Sequence, residues 1–120
     1  MKRIPVASSG SISITSDHSG SDVLVRLNGR IDVDSSPDLR DYLLAILSQE
    51  PSPRVITVDL AGVPYIETSG IATLVETLRI ARHHRAIFCL QGLRGPVLRL
   101  FEVTSVLALF EGSDCGQKVC

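Results

Sequence analysis

The sequence predicts a single α/β domain, and three observations carry that prediction. With 120 residues, 44% of them hydrophobic, the chain has material for one sizeable core and none for a second. The hydrophobic period alternates along the chain between two and 3.6, so strands and helices follow one another. Turn-forming residues, among them Gly29, Pro37, Pro51, Pro53, Gly62 and Pro64, fall at or near the points where the period changes.

Residues 1–10 are poorly patterned and are expected to be a flexible lead-in. Ser11-Ile12-Ser13-Ile14-Thr15 alternates polar and apolar like a half-buried strand, and residues 17–21 read as a turn. Val23, Val25 and Leu27 continue the alternation in a second strand over about 22–28, which closes a hairpin. Leu39, Tyr42, Leu43, Ile46 and Leu47 then mark one stripe of a helix. Ser36 is the expected cap, Pro37 suits the first turn, and Asp38 complements the positive end of the dipole. After Pro51 and Pro53, the run Val55-Ile56-Thr57-Val58 and Leu60 reads as an interior strand.

A second helix buries Ile71, Leu74, Val75 and Leu78 and turns Ala72, Glu76, Arg79 and His83 outward. Residues 86–90 form a further buried strand, and Pro96 opens a third helix. Val106 to Phe110 fits a last short strand or a helical turn, and residues 112–120 read as a flexible tail around a domain spanning 11–111. The expected order is β-β-α-β-α-β-α with an optional last strand. It forms a mixed sheet of four to five strands with three helices on one face.

Twelve basic against thirteen acidic residues leave a net charge of −1, which argues against nucleic acid as a partner. No apolar run approaches the roughly 20 residues of a membrane span, and no secretory signal is recognisable, so a soluble cytoplasmic protein is expected. Cys89, Cys115 and Cys120 form no Cys-x-x-Cys pair and fit a reduced protein with one core thiol and two tail thiols. His83 and His84 are adjacent and point apart on a helix, so neither a metal nor another cofactor is expected. The cations Arg79, Arg82, Arg85, Arg94 and Arg99 lack interleaved aromatics and read as a solvated face.

The informative stretch is 58–70, which places Glu67, Thr68 and Ser69 where an interior strand hands over to a helix. On the residues alone, two roles fit. A hydroxyl there can cap the helix. It can also accept a phosphoryl group, whose roughly −1.5 to −2 charges the helix N-terminus tolerates while a docked partner is repelled.

Gly29-Arg30-Ile31-Asp32, the Asp-Leu-x-x-Val of residues 59–63 and Glu67-Thr68-Ser69-Gly70-Ile71 occur in an order and spacing that resemble a STAS domain of the anti-sigma factor antagonist type. Residues 97–104 and 107–111 extend the resemblance to nearly the whole chain. The resemblance implies bacterial transcription regulation by partner switching. The unmodified protein binds an anti-sigma factor serine/threonine kinase with a histidine-kinase-like ATPase fold. Phosphorylation of the hydroxyl after the acid cancels binding, and a phosphatase restores it. Carried over, the acceptor is Thr68, with Ser69 as fallback and Glu67 as the preceding acid. Asp32 is implied to lie near it, and Gly70 to complete the switch loop.

Three positions depart from the family pattern: Glu67 stands for Asp, Thr68 for Ser, and Ser105 where Gly often follows Thr. An enzyme is not expected, since no nucleotide-binding glycine motif or nucleophile–base pair is recognisable. Asp59 at a strand end reads as a loop-orienting acceptor. The alternative is a STAS-like accessory subunit docking on an ABC-transporter ATPase of lipid transport without a phosphorylation cycle. In either case the outward face Ala72, Glu76, Arg79 and His83 is the candidate docking surface.

Overall fold

The computed structural model describes residues 2–9, 12–110 and 118–119, with only the backbone for 2–9 and Lys118. Its elements are β1 (Lys2–Ser9), β2 (Ile12–Ser19), β3 (Asp22–Gly29), α1 (Ser36–Leu47), β4 (Val55–Gly62), α2 (Thr68–His83), β5 (Ile87–Gln91), α3 (Gly95–Val103), a 3₁₀ turn (Val106–Leu109) and β6 (Lys118–Val119). The strands lie in one sheet in chain order. β3, β4 and β5 run parallel, while β1, β2 and β6 join by antiparallel pairing.

Period-2 patterning decides which face is covered. Ile14, Val25, Leu27, Ile56, Val58, Leu60, Phe88 and Leu90 point to one side and are buried there. That side receives Leu39, Leu43, Ile46 and Leu47 of α1, Ile71, Leu74 and Leu78 of α2, and Val97 and Phe101 of α3. Phe110, which follows the 3₁₀ turn, closes this core with its ring 6.3 Å from Phe88 and 6.5 Å from Phe101. Tyr42 lies at the margin of the α1 stripe, where its hydroxyl meets the buried Ser16 Oγ at 2.9 Å and satisfies it. The opposite face of the sheet carries Arg26 exposed and Thr15, Leu24 and Asp59 half-buried.

Several expectations change. The segment 1–10, expected to be a flexible lead-in, contains the edge strand β1, paired with β2 through an irregularity between Ile4 and Ala7. An edge strand needs pairing on only one side, so weak patterning and Pro5 do not exclude it. Of the two expectations for residues 106–110 the helical turn holds, as a 3₁₀ turn over Val106–Leu109, and the last strand is β6, inside the expected tail. The sheet therefore has six strands, two more than the central β2–β5 ladder.

Ser36 does not cap α1 either. Ser35 precedes the helix in helical conformation, no side chain caps, and the Ser36 hydroxyl donates to the Asp32 carbonyl at 2.6 Å. Cys89 is disulfide-bonded, which corrects the reading of a core thiol; its partner cysteine lies outside the described residues. Val75, expected within the buried stripe of α2, is only half-buried, and Thr73 and Thr77 take buried positions instead. Their hydroxyls donate back to the carbonyls of Ser69 and Thr73. The arginines at 79, 82, 85, 94 and 99 are all exposed, as expected of a solvated face.

Two non-glycine residues sit in the left-handed region. Arg85, at φ 61°, follows α2 in a Schellman turn in which the Ala86 N–H donates to the Ala81 carbonyl. Ser105, at φ 59°, turns the chain from α3 into the 3₁₀ segment. The departure from glycine at position 105 thus falls where glycine has a physical advantage. Ser105→Gly is expected to raise stability by about 1 kcal/mol, read as a higher urea midpoint with unchanged slope. A lower midpoint would show that the Ser105 side chain stabilises the turn.

Candidate functional site

The candidate site lies at the edge of the sheet where β3 and β4 end. After the ladder between them breaks at a register shift, Ile31 and Ile66 pair again in an isolated parallel bridge. The Ile31 N–H donates to the Tyr65 carbonyl at 3.0 Å, and the Glu67 N–H donates to the Ile31 carbonyl at 2.8 Å. Both isoleucines are buried. The bridge therefore fixes loop 30–35 against loop 63–67, directly before α2.

Gly70, in the first turn of α2, rests on this bridge. A Cβ there would fall 2.8 Å from Ile66 Cγ1 and nearer still to Ile31 Cγ2, so only a residue without a side chain allows the helix to approach this closely. Glu67 precedes the helix in extended conformation but does not cap it. Its Oε1 accepts instead from the Val33 N–H at 3.1 Å, tying the two loops together a second time.

Asp32 organises the first loop. Its Oδ1 accepts from the N–H groups of Asp34 and Ser35, each at 3.0 Å, and its own N–H donates to Ser35 Oγ. The hydrogen bond from the Ser35 N–H is the main cause that holds the Asp32 carboxyl below its ordinary range. This carboxylate is turned into its own loop. What connects Asp32 to α2 is its carbonyl, which accepts from Ser36 Oγ, itself 3.1 Å from Ser69 Oγ. Because the Ser36 proton is directed to that carbonyl, Ser69 is the donor of the pair.

Thr68 differs from its neighbours. It is exposed at the first position of α2, and its hydroxyl has no hydrogen-bond partner among the described residues. The Glu67 carbonyl accepts from the Gly70 and Ile71 N–H groups, which leaves those of Thr68 and Ser69 without a backbone partner among the described residues. Neither Thr68 nor Ser69 is therefore a helix cap.

From Thr68 a groove of about 470 Å³ runs along α2. Thr68, Ile71, Ala72, Val75, Glu76 and Arg79 form one wall and Thr104, Val106 and Leu109 the other. Glu76 is held from the α1 side by Arg40, whose Nε and Nη2 lie 2.9 and 3.2 Å from its two carboxylate oxygens. That pairing lowers the pKa of Glu76 and raises that of Arg40. His83, the last residue of α2, is exposed beyond the groove lining.

Of the residues singled out from sequence, the fold thus brings Thr68, Ala72, Glu76 and Arg79 to one groove. Asp32, Glu67, Ser69 and Gly70 build the scaffold beneath it, and His83 stands apart. Sequence reasoning missed Arg40, Thr104, Val106 and Leu109, as well as the exposed apolar Val33 and Tyr65 on the two loops. Arg30 lies over the Tyr65 ring, 5.4 Å from its centroid. A second groove, of about 650 Å³, lies between 61–64 and 94–96, where Arg94 donates to the Ala61 carbonyl at 2.8 Å. Among the described residues, no three His, Cys, Asp or Glu side chains could hold a metal ion, and no helix is long and apolar enough to cross a membrane.

Comparison with known proteins bears on the family and the fold. The family model described as Mlab, STAS domain matches residues 14–110. The chain is 27% identical over 95 residues to the anti-sigma-B factor antagonist of Bacillus subtilis (strain 168), covering 79% of this chain and 84% of the relative. In fold it resembles the crystal structure of an anti-sigma factor antagonist from Mycobacterium paratuberculosis, at a TM-score of 0.71 and 22% identity, with 84% of each chain covered. It also resembles the anti-sigma factor antagonist SpoIIAA in its unphosphorylated form, at a TM-score of 0.65 and 16% identity, over 78% of this chain and 81% of that one.

Two measurements test the scaffold. Asp32 contributes stability that is fully present above the carboxyl's ordinary pKa of 3.8 in the unfolded chain and is lost as pH falls through the lower folded value. Asp32→Asn keeps an acceptor but not the titration, so its Tm should fall less than that of the wild type between about pH 5 and pH 3. Gly70→Ala should destabilise by about 1–3 kcal/mol through overpacking against Ile31 and Ile66, measured by urea unfolding.

Proposed function

The chain belongs to the STAS domain family, and from that premise we propose that it is an anti-sigma factor antagonist, a non-catalytic phosphoswitch. Unmodified, it binds an anti-sigma factor that is a serine/threonine kinase of the histidine-kinase-like ATPase fold. Phosphorylated on Thr68, it is released, and a phosphatase returns it to the binding state. The names of the curated relatives support the first half of this reading.

The observation that carries the second half is the state of the Thr68 hydroxyl: exposed, without a hydrogen-bond partner among the described residues, at a helix N-terminus and on the rim of a groove. A phosphoryl group there adds about −1.5 to −2 charges beside two backbone N–H groups that the helix does not use. The fold tolerates that charge. A partner seated on Thr68, Ala72, Glu76 and Arg79 does not, because it meets new charge where it had buried a hydroxyl. Ser69 is the poorer acceptor, since its hydroxyl is engaged with Ser36. Asp32, Glu67 and Gly70 serve by holding the loop in place, and His83 extends the contact stripe beyond the groove.

Local hydrogen bonding supports a binding protein over a catalyst. The carboxylates of Asp32, Asp59, Glu67 and Glu76 are each occupied in accepting from a nearby structural donor. The second reading, an accessory subunit docking on an ABC-transporter ATPase in lipid transport, uses the same groove without phosphorylation. It is favoured by Thr68 standing where the family pattern has Ser, because the β-branch restricts χ1 and crowds an approaching kinase.

Incubation with the cognate kinase and ATP should add one phosphate, and mass spectrometry should place it on Thr68. Modification of Ser69, or none, counts against the switch assignment. Thr68→Ala should change stability by less than about 0.5 kcal/mol because no capping bond is lost. Thr68→Glu should weaken partner binding while thermal unfolding stays cooperative.

A further inference from the structure

We propose, on the premise of the switch reading above, that the groove running from Thr68 takes an acidic amphipathic helix of the partner, anchored by a carboxylate on Arg79. Arg79 follows Thr68 by eleven residues, which is three helical turns with about 20° to spare. The two therefore share one face of α2, roughly 16 Å apart along its axis, with Ala72 and Val75 between them on the groove wall.

The shape of the groove decides the form of the occupant. Its lining is apolar between the ends: Ile71 is buried, Val75 and Val106 are half-buried, and Leu109 is 41% exposed. Both walls are helical, α2 on one side and the 3₁₀ turn on the other. Helices bond their backbone groups internally and offer no strand edge, so a segment docks here by its side chains. A helix with apolar residues three and four apart meets that requirement; an added strand does not.

Charge decides its composition. The charged residues of the lining are Glu76 and Arg79. Both Glu76 oxygens are already engaged by Arg40. Arg79 is exposed, and its side chain has no hydrogen bond or ion pair among the described residues. Arg82, just beyond, donates to the Leu109 carbonyl at 2.9 Å, a neutral acceptor that leaves its positive charge unbalanced. The groove is thus apolar along its length and cationic at its far end, where a guanidinium can take a carboxylate at two points.

The sign of the switch fits the same occupant. A phosphoryl group on Thr68 stands about two screening lengths from Arg79 along the helix, at roughly 8 Å each in physiological salt, so Arg79 does not neutralise it. An acidic helix is drawn to the unmodified groove and repelled after modification, whereas a basic helix is held more tightly by the new charge. Attraction at Arg79 and release on phosphorylation therefore select the same partner charge.

Two capped, fluorescein-labelled helical peptides with the same leucine stripe serve as probes, one ending in two glutamates and the other in two lysines. In fluorescence anisotropy with the full chain, the glutamate peptide should bind about tenfold more tightly than the lysine peptide. Arg79→Glu should weaken the glutamate peptide about tenfold and strengthen the lysine peptide. Arg99→Glu, at an exposed position outside the groove, should change neither. Equal affinity for the two peptides, no binding of the glutamate peptide, or the same loss in Arg99→Glu overturns the proposal. The switch reading fails separately: if the charge preference is present but the cognate kinase leaves Thr68 unmodified, the groove assignment stands and the phosphoswitch falls.

Discussion

Two backbone hydrogen bonds, from Ile31 to Tyr65 and from Glu67 to Ile31, hold the rest of the candidate site in place. β3 and β4 separate after the Asn28–Gly62 pair, and without the isolated bridge their loops would be independent surface segments. The bridge brings them back into one layer, and its buried isoleucines give that layer a floor. Two glycines make the geometry possible. Gly62 leaves room for the Leu27 carbonyl, which would be 2.9 Å from a Cβ, and Gly70 seats the first turn of α2 on the isoleucines. The loops that carry Asp32, Glu67 and Thr68 take their position from this floor.

Three neighbouring hydroxyls have three fates because of it. Ser36 is turned into the Asp32 carbonyl, Ser69 is turned onto Ser36, and Thr68 is turned to solvent. The first two join the starts of α1 and α2, so the loop beneath Thr68 is braced from both helices. A braced loop accepts a local change of charge without transmitting it to the core, since the Ser36 and Ser69 hydroxyls and the Asp32 and Glu67 carboxylates are already hydrogen-bonded. The same bracing extends along the helices, where Arg40 and Glu76 form a two-point pair at exposed positions. Such a pair adds orientation more than stability.

The elements with a strong period were legible in the sequence: β3, β4, β5 and all three helices fall near where Val, Ile and Leu spacing places them, whereas β2 runs on through residues 17–19, expected as turn, because they pair with Leu24, Val23 and Asp22 of β3. Asp59 acts as the loop acceptor its position suggested, taking the Ala61 N–H at 2.9 Å. What escaped was whatever depends on contacts between distant segments. β1 and β6 owe their strand state to a neighbour's edge rather than to their own pattern. The cap expected of Ser36 yields to a competing local bond onto the Asp32 carbonyl four residues earlier, while its oxygen meets Ser69 of the distant α2. Ala72, Glu76, Arg79 and His83 were legible as one helical face beside Thr68, but the facing wall of Thr104, Val106 and Leu109 was not, because it follows an irregular turn at Ser105.

The order of the strands in the sheet equals their order in the chain. Each new strand therefore finds its docking edge already made by the one before it, and no strand must wait for a later one to be inserted beside it. A ribosome delivering this chain from its N-terminus can hand over the β2–β3 hairpin as a template, then add β4 and β5 through local crossovers. The edge that carries Thr68 comes into being only when Ile66 reaches Ile31 and α2 settles on it. During synthesis, a partner that reads that edge is reading a record that everything before α2 has already folded.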